Sequence, residues 1–167
     1  MHKIIDWLDS TTKLFGQFNQ WAILLMVVIT ALVAILRYCF SLGWIWLQES
    51  VTYLHSLFFL GTISLGLLNQ GHVRVDIFYR LVSLPTQAKI DLFGTLFLLF
   101  PFCILVFTQS FGYVLSSWSI LEGSRETGGI PAIFLLKSLL LIFPVTLFLQ
   151  GLSQACKAIL TLGVKEQ

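Results

Sequence analysis

Four long apolar stretches occupy most of this chain of 167 residues, and they decide which solvent it folds in. A hydrocarbon layer of about 30 Å needs roughly 20 helical residues to cross it, and each stretch with its flanks reaches that length. Backbone amides that face lipid must be hydrogen-bonded within their own segment, so each stretch is predicted to be helical. The sequence therefore predicts an all-α integral membrane protein with four transmembrane helices, at approximately 21–41, 49–69, 91–115 and 130–153.

Little of the chain is left for a soluble domain, because 57% of it is hydrophobic and only 11% is charged. We expect residues 1–167 to form a single membrane domain, without room for a nucleotide-binding fold or a soluble catalytic module. The basic residues are scattered, which argues against a nucleic-acid partner. The three cysteines are isolated and form no C-x-x-C pair, which argues against a disulfide framework or a metal cluster. We therefore assign no catalytic, cofactor-binding or metal-binding residue and do not expect an enzyme.

The first 19 residues have the pattern of an amphipathic helix that is too polar to span. One interpretation places this helix flat in the membrane interface, with its apolar side dipped toward the lipid. The other packs it against a partner subunit, and the pattern leaves both open. The apolar positions are Ile4, Ile5, Trp7, Leu8, Leu14, Phe15 and Phe18.

Several residues predict how the spans begin and bend. Glu49 is expected to open the second span, because a carboxylate complements the positive end of a helix dipole. Pro131 is placed in the first turn of the fourth span, where its missing N–H is harmless. Pro101 and Pro144 predict bends inside the third and fourth spans.

Lysine and arginine are unevenly divided between the two membrane sides that the four predicted spans define. Seven of them lie in the N-terminal segment, the loop after the second span and the C-terminal tail, whereas the other two turns contain only Arg37 and Arg125. Excess positive charge stays in the cytoplasm. Both termini and the middle loop are therefore predicted to be cytoplasmic.

Polar groups inside spans are costly, so each is a functional candidate. Lys137 lies about two turns past Pro131, where its amine can snorkel to the surface or pair with Glu122 or Glu126. We favour either of these over a transport role. His55 lies just inside the second span and is expected to hydrogen-bond to a neighbouring helix.

Two other classes of membrane protein fit these residues less well. A haem-binding anchor of a respiratory enzyme needs histidine ligands, but His55 and His72 are seventeen residues apart, or roughly 25 Å along a helix, and cannot share one iron. His2 and His72 would meet only at the surface. A small proton-coupled exporter needs an ionisable group at mid-membrane, whereas Glu49 and Asp91 lie at span ends. An accessory or scaffold subunit is the more natural interpretation.

Four features in order support that interpretation: RYCF at 37–40, WLQE at 46–49, Gly61, and GHVRVD at 71–76. Their order and spacing over 21–151 resemble the DctQ family, the small membrane subunits of tripartite ATP-independent periplasmic (TRAP) transporters. The family often shows two adjacent carboxylates after the tryptophan and a basic residue a few positions later. This chain has Gln48 beside Glu49, and Thr52 further on, so contacts that need the extra charges are not expected.

The resemblance implies a sodium-driven uptake system in a bacterial inner membrane, with this chain as a multi-pass subunit. A periplasmic solute-binding protein would capture an organic acid such as a carboxylate, and a large membrane subunit would carry it across by an elevator-like movement. The small subunit would belong to the static scaffold, in contact with the lipid bilayer, and would need no cofactor. The transported substrate is not written in this chain.

Under this resemblance, two sets of residues become candidates for contacts. Thr62 and Gly66 form a small-xxx-small pair that suits close helix packing on the large subunit or a lipid-covered face. Arg74 and Asp76 are interpreted as a structural clamp. The full set of interface or structural candidates is Arg37, Trp46, Glu49, Thr62, Gly66, His72, Arg74, Asp76 and Lys137. Candidates for docking the binding protein, or for ordinary interfacial anchoring, are Trp44, Glu122, Arg125 and Glu126.

Overall fold

The computed structural model describes residues 2–69 and 82–163, and within these ranges the chain is helical with no strand. A π-helical segment, Thr95–Leu99, joins the helix Leu84–Gly94 to the helix Phe100–Ser119, so that Leu84–Ser119 runs as one rod. Four rods are therefore long and apolar enough to cross a membrane. The helices are α1 (His2–Phe40), α2 (Ile45–Leu68), α3 (Leu84–Gly94), α4 (Phe100–Ser119) and α5 (Ile133–Gly163).

The four rods match the predicted number of membrane-spanning helices, but α1 differs from its prediction. It contains 39 residues, or roughly 58 Å of helix, about twice the thickness of the hydrocarbon layer. The predicted division between an interfacial helix and the first span near residue 20 is not seen, since residues 2–40 form one helix. No proline or turn-forming glycine interrupts 17–22, so nothing in the backbone ends the helix where the polarity changes.

The other helix limits also extend beyond the predicted spans. α2 begins four residues before Glu49, α3 begins at Leu84 rather than near 91, and α5 continues to Gly163. Pro131 precedes α5, which starts at Ile133, so its predicted place in the first helical turn is wrong. Pro144 lies buried inside α5, which continues past it.

The region around Pro101 contains a π-helical turn. Thr95–Leu99 has π geometry, and the Phe100 amide donates to the Thr95 carbonyl five residues back. Proline has no N–H with which to continue the α-helical ladder, and an inserted residue is one way for a helix to accommodate that loss. The sequence predicted a bend at this point but not its hydrogen-bonding pattern.

The helices pack through small and polar residues as well as apolar ones. α1 lies along α2, and its first half also contacts α5. Gly16 of α1 faces Leu65 of α2, and Gly61 of α2 faces the side chain of Asn19, which is completely buried. Lipid tails are as apolar as leucine, so burying apolar side chains between helices gives little driving force in a membrane. Close packing at small residues therefore contributes more to helix association here than it does in water.

We expect Gly61→Ala to destabilise the bundle, because the new Cβ would collide with the Asn19 amide. Overpacking of this kind costs about 1–3 kcal/mol. Thermal unfolding in detergent, followed by tryptophan fluorescence, measures the effect. Gly112→Ala is the matched control, since no side chain or neighbouring helix lies within 4 Å of the position its Cβ would take. Equal midpoints for the two variants would contradict the close packing of α1 on α2.

Candidate functional site: polar clusters at the two ends of the bundle

Charged side chains of the described ranges gather at two opposite ends of the helix bundle. The Trp44 end is where α1 and α4 finish and where α2 and α5 begin. The Asp9 end contains the start of α1, the end of α2 and the last turns of α5. Each end joins helices that are far apart in the sequence.

The Glu49 cluster lies at the Trp44 end and joins α2 to the loop before α5. The Glu49 carboxylate accepts a hydrogen bond from the Ser124 hydroxyl and a second, 2.6 Å long, from the Ile130 backbone amide. A Cβ on Gly129 would collide with Ser124 and lie 2.7 Å from Glu49, so only glycine fits beside the carboxylate without a shift. Glu49 lies beyond the first turn of α2, so its predicted role at the helix start is wrong. It anchors a loop instead.

The Lys137 cluster lies at the same end and joins α4 to α5. The Lys137 amine forms an ion pair with Glu122, whose carboxylate also accepts a 2.7 Å hydrogen bond from Ser117. The same amine lies 4.0 Å from the centroid of the Tyr113 ring, in cation–π geometry. The hydrogen bonds from Lys137 and then Ser117 hold the pKa of Glu122 below its ordinary value. Of the two glutamates considered for Lys137 from the sequence, the structure pairs it with Glu122.

The Asp9 cluster joins α1 to α5 at the other end. The Asp9 carboxylate accepts hydrogen bonds from Lys157 at 2.6 Å, Ser153 at 2.6 Å and Gln150 at 3.3 Å. Gln150 and Ser153 are completely buried. Nearby, the Gln154 amide donates to the Leu67 carbonyl at 2.7 Å and so ties α5 to the end of α2. One acidic side chain therefore receives three donors from α5.

The sequence did not identify the Asp9 cluster. Asp9 lies outside the apolar positions of the predicted amphipathic helix, and that pattern names no partner for it. A usable signal exists on α5, where Gln150, Ser153 and Lys157 recur at spacings of three and four and so share one helix face. A polar row on an otherwise apolar span predicts a buried partner, although it does not name which helix supplies the partner.

Several predicted candidates lie exposed at the Trp44 end. Trp44 and Trp46 stack on each other with ring centroids 6.2 Å apart. Arg37, Arg125 and Glu126 also have exposed side chains. These five residues surround the two clusters but are not part of them.

Other predicted residues are placed differently from expectation. His55 is exposed and stacks on Phe59 of its own helix, so the expected hydrogen bond to a neighbouring helix is not formed with any described residue. Thr62 and Gly66 are half-buried, and Thr62 donates to the Phe58 carbonyl at 2.6 Å. Gly61, which is not part of that pair, lies against the Asn19 side chain. Three candidates, His72, Arg74 and Asp76, lie outside the described residues.

Four buried side chains of the bundle retain unpartnered polar atoms within the described ranges. Neither amide atom of Asn19 has a hydrogen-bond partner, and the Ser64, Tyr53 and Gln150 side chains each leave one oxygen unpaired. The described residues contain no group of three or more histidine, cysteine or acidic side chains arranged to hold a metal ion.

A family model described as the DctQ component of tripartite ATP-independent periplasmic transporters matches residues 26–161. The match includes the Glu49 and Lys137 clusters and the α5 side of the Asp9 cluster, whereas Asp9 itself precedes it. Neither the curated proteins nor the solved structures contain a match to the chain.

We expect Glu49→Ala to loosen the loop before α5, because Ser124 and the Ile130 amide would lose their shared acceptor. Losing hydrogen bonds to a charged group costs about 1.5–3 kcal/mol. Hydrogen–deuterium exchange of the loop peptide at 122–132 should become faster. Glu126→Ala removes the same charge from an exposed side chain and should leave the exchange unchanged. Similar exchange in both variants would show that Glu49 does not hold the loop.

The Asp9 cluster predicts an order of stabilities. Asp9→Ala should lower the free energy of unfolding most, by about 2 kcal/mol, since it leaves three donors without their acceptor, and thermal unfolding in detergent measures the loss. Lys157→Ala should cost less, because the side chain of Lys157 is already 42% exposed. Asp6→Ala, an exposed acidic residue on the same helix, is the control. A larger loss for Lys157→Ala than for Asp9→Ala would contradict the geometry.

Proposed function

Since the chain belongs to the DctQ component family of TRAP transporters and is a small membrane subunit of such a transporter, we propose that it is the static brace of the system. The large membrane subunit would move a solute across the bilayer while this chain holds a fixed position. The transporter would be a sodium-coupled uptake system for an organic acid such as a carboxylate. A periplasmic solute-binding protein would deliver that acid.

The observation that carries this proposal is that polar contacts join the helices at both ends of the bundle. Glu49 ties α2 to the loop before α5, the ion pair of Glu122 with Lys137 ties α4 to α5, and Asp9 ties α1 to α5. A set of helices joined at both ends resists the relative sliding that a carrier needs. Such a bundle suits a static subunit that braces the large membrane subunit.

The positions of the ionisable groups also favour a support over a carrier. Among the described residues, no Asp, Glu, Lys or Arg lies between Gln20 and Arg37 of α1, between Ser50 and Leu68 of α2, or between Thr95 and Ser119. Carriers that couple ion movement to transport use ionisable or coordinating groups near mid-membrane. Substrate and sodium sites are therefore assigned to the large subunit.

We propose that the chain lies in a bacterial inner membrane. Its Asp9 end would face the cytoplasm, and its Trp44 end would face the periplasm. The lysine and arginine distribution supports this orientation. Exposed aromatic and charged groups, Trp44, Arg125 and Glu126, would then face the binding protein. They are proposed as part of its docking surface.

Purification and transport assays test the proposal together. In mild detergent, the tagged chain should recover a much larger many-span protein. In vesicles with an imposed sodium gradient, the two-subunit complex with its binding protein should accumulate a labelled carboxylate, whereas this chain alone should transport nothing.

Two results would contradict the proposal. Ion-coupled flux through the chain alone would make it a carrier. Copurification with a flavoprotein and an iron–sulfur subunit would instead make it a respiratory anchor. Vesicles that contain the large subunit without this chain are the control, since they show whether transport requires this chain.

A further inference from the structure

One face of α1 carries a row of large apolar side chains that no described residue covers. We call Leu14, Phe18, Trp21 and Leu25 the ridge. Their side chains are 51–72% exposed. The spacings of four, three and four residues place them in one line along the helix. Val28, at a further spacing of three, extends the line and is 63% exposed.

The packing of α1 against α2 fixes the depth of the ridge. Asn19 lies against Gly61, and Gly16 lies against Leu65. α2 has 24 residues and is about 36 Å long, so it slightly exceeds the hydrocarbon layer. Gly61 is seven residues from the end of α2, or roughly 10 Å inward. The ridge beyond Asn19 therefore lies at membrane depth.

Two glutamines lie beside the ridge, Gln20 at this depth and Gln17 nearer the Asp9 end, next to Gly16, which faces Leu65. The Gln17 and Gln20 side chains are exposed, and neither forms a hydrogen bond with another described residue. An amide placed in hydrocarbon without a partner costs several kcal/mol, or about 2–7 kcal/mol depending on the reference state. Lipid tails provide no such partner. The two glutamines therefore favour a neighbour with hydrogen-bonding groups on this side of the ridge.

The other side of the ridge borders a groove of about 600 Å³ between α1 and α5. Ser64 lines the groove, is only 1% exposed, and has a hydroxyl without a partner among the described residues. Thr11, Thr12 and Thr146 also line it. Almost all of the surface that lines the groove is apolar, so the groove can receive an apolar side chain. The polar flank of the ridge is the one that carries Gln17 and Gln20, and their unpartnered amides suit a helix with mixed side chains better than an acyl chain.

We propose that the ridge and its flanks receive a membrane-spanning helix of the large subunit. Polar side chains of that helix hydrogen-bond Gln17 and Gln20, and one of its side chains enters the groove beside Ser64. The four ridge side chains and the two glutamines expose on the order of 700 Å², close to the ~800 Å² that each partner contributes to a stable interface. This inference rests on the proposed function, which supplies the partner.

A photoreactive amino acid placed at Phe18 in the two-subunit complex tests the contact. We expect it to cross-link to the large subunit. The control position is Phe97, which is 64% exposed on another rod and should cross-link only to lipid. Lipid adducts alone at position 18, or protein adducts at 97 but not at 18, would overturn the inference while leaving the complex established. If no large subunit copurifies, the proposed function itself fails.

A second measurement tests the glutamines. Gln17→Leu with Gln20→Leu makes α1 more compatible with lipid, so the chain should still fold, but association with the large subunit should weaken about 10-fold if two interhelical hydrogen bonds are lost. Gln48→Leu, the same exchange at an exposed position of α2, should leave association unchanged. Unaltered or stronger association of the double variant would show that lipid covers this face.

Discussion

A polar group inside hydrocarbon cannot turn to water, and this constraint decides where the described charges of this subunit lie. The carboxylates of Glu49, Glu122 and Asp9 are each at a bundle end, and each accepts at least two hydrogen bonds from the protein. Between the ends, the spans are held by apolar contact and by close approach at Gly16 and Gly61. The polar ends define which helices are neighbours, and the small residues define how near they come.

The helical architecture could be predicted because it depends on local sequence. Length and apolarity alone imply four helices when lipid is the solvent. The limit near residue 20 was wrong because polarity reports on the surroundings of a residue, whereas a helix ends only where the backbone is interrupted or capped. Membership of the family was also recognisable from short motifs around Trp46 and Gly61.

The pairing of the charges could not be predicted in the same way. Asp9 reaches Lys157 across 148 residues, and Glu49 reaches Ile130 across 81. Such partners depend on which helices lie side by side, and hydropathy contains no information about that. Lys137 was an easier case, because Glu122 is only fifteen residues away across one turn. The general expectation that charges in spans need partners was useful, but the identity of the partner required the fold.

The Asp9 cluster and the ridge on α1 are mechanically linked. Asp9 is one turn or so before Leu14 on the same continuous helix, so its contacts with α5 set the rotation of α1 about its own axis. That rotation turns Asn19 toward Gly61 and therefore turns Gln17, Phe18 and Trp21 outward. A rotation of α1 by one residue, about 100°, would bring Phe18 or Gln20 to the place that Asn19 occupies against Gly61. A polar contact at one end of the bundle thus helps to determine which face of α1 the other described helices leave uncovered.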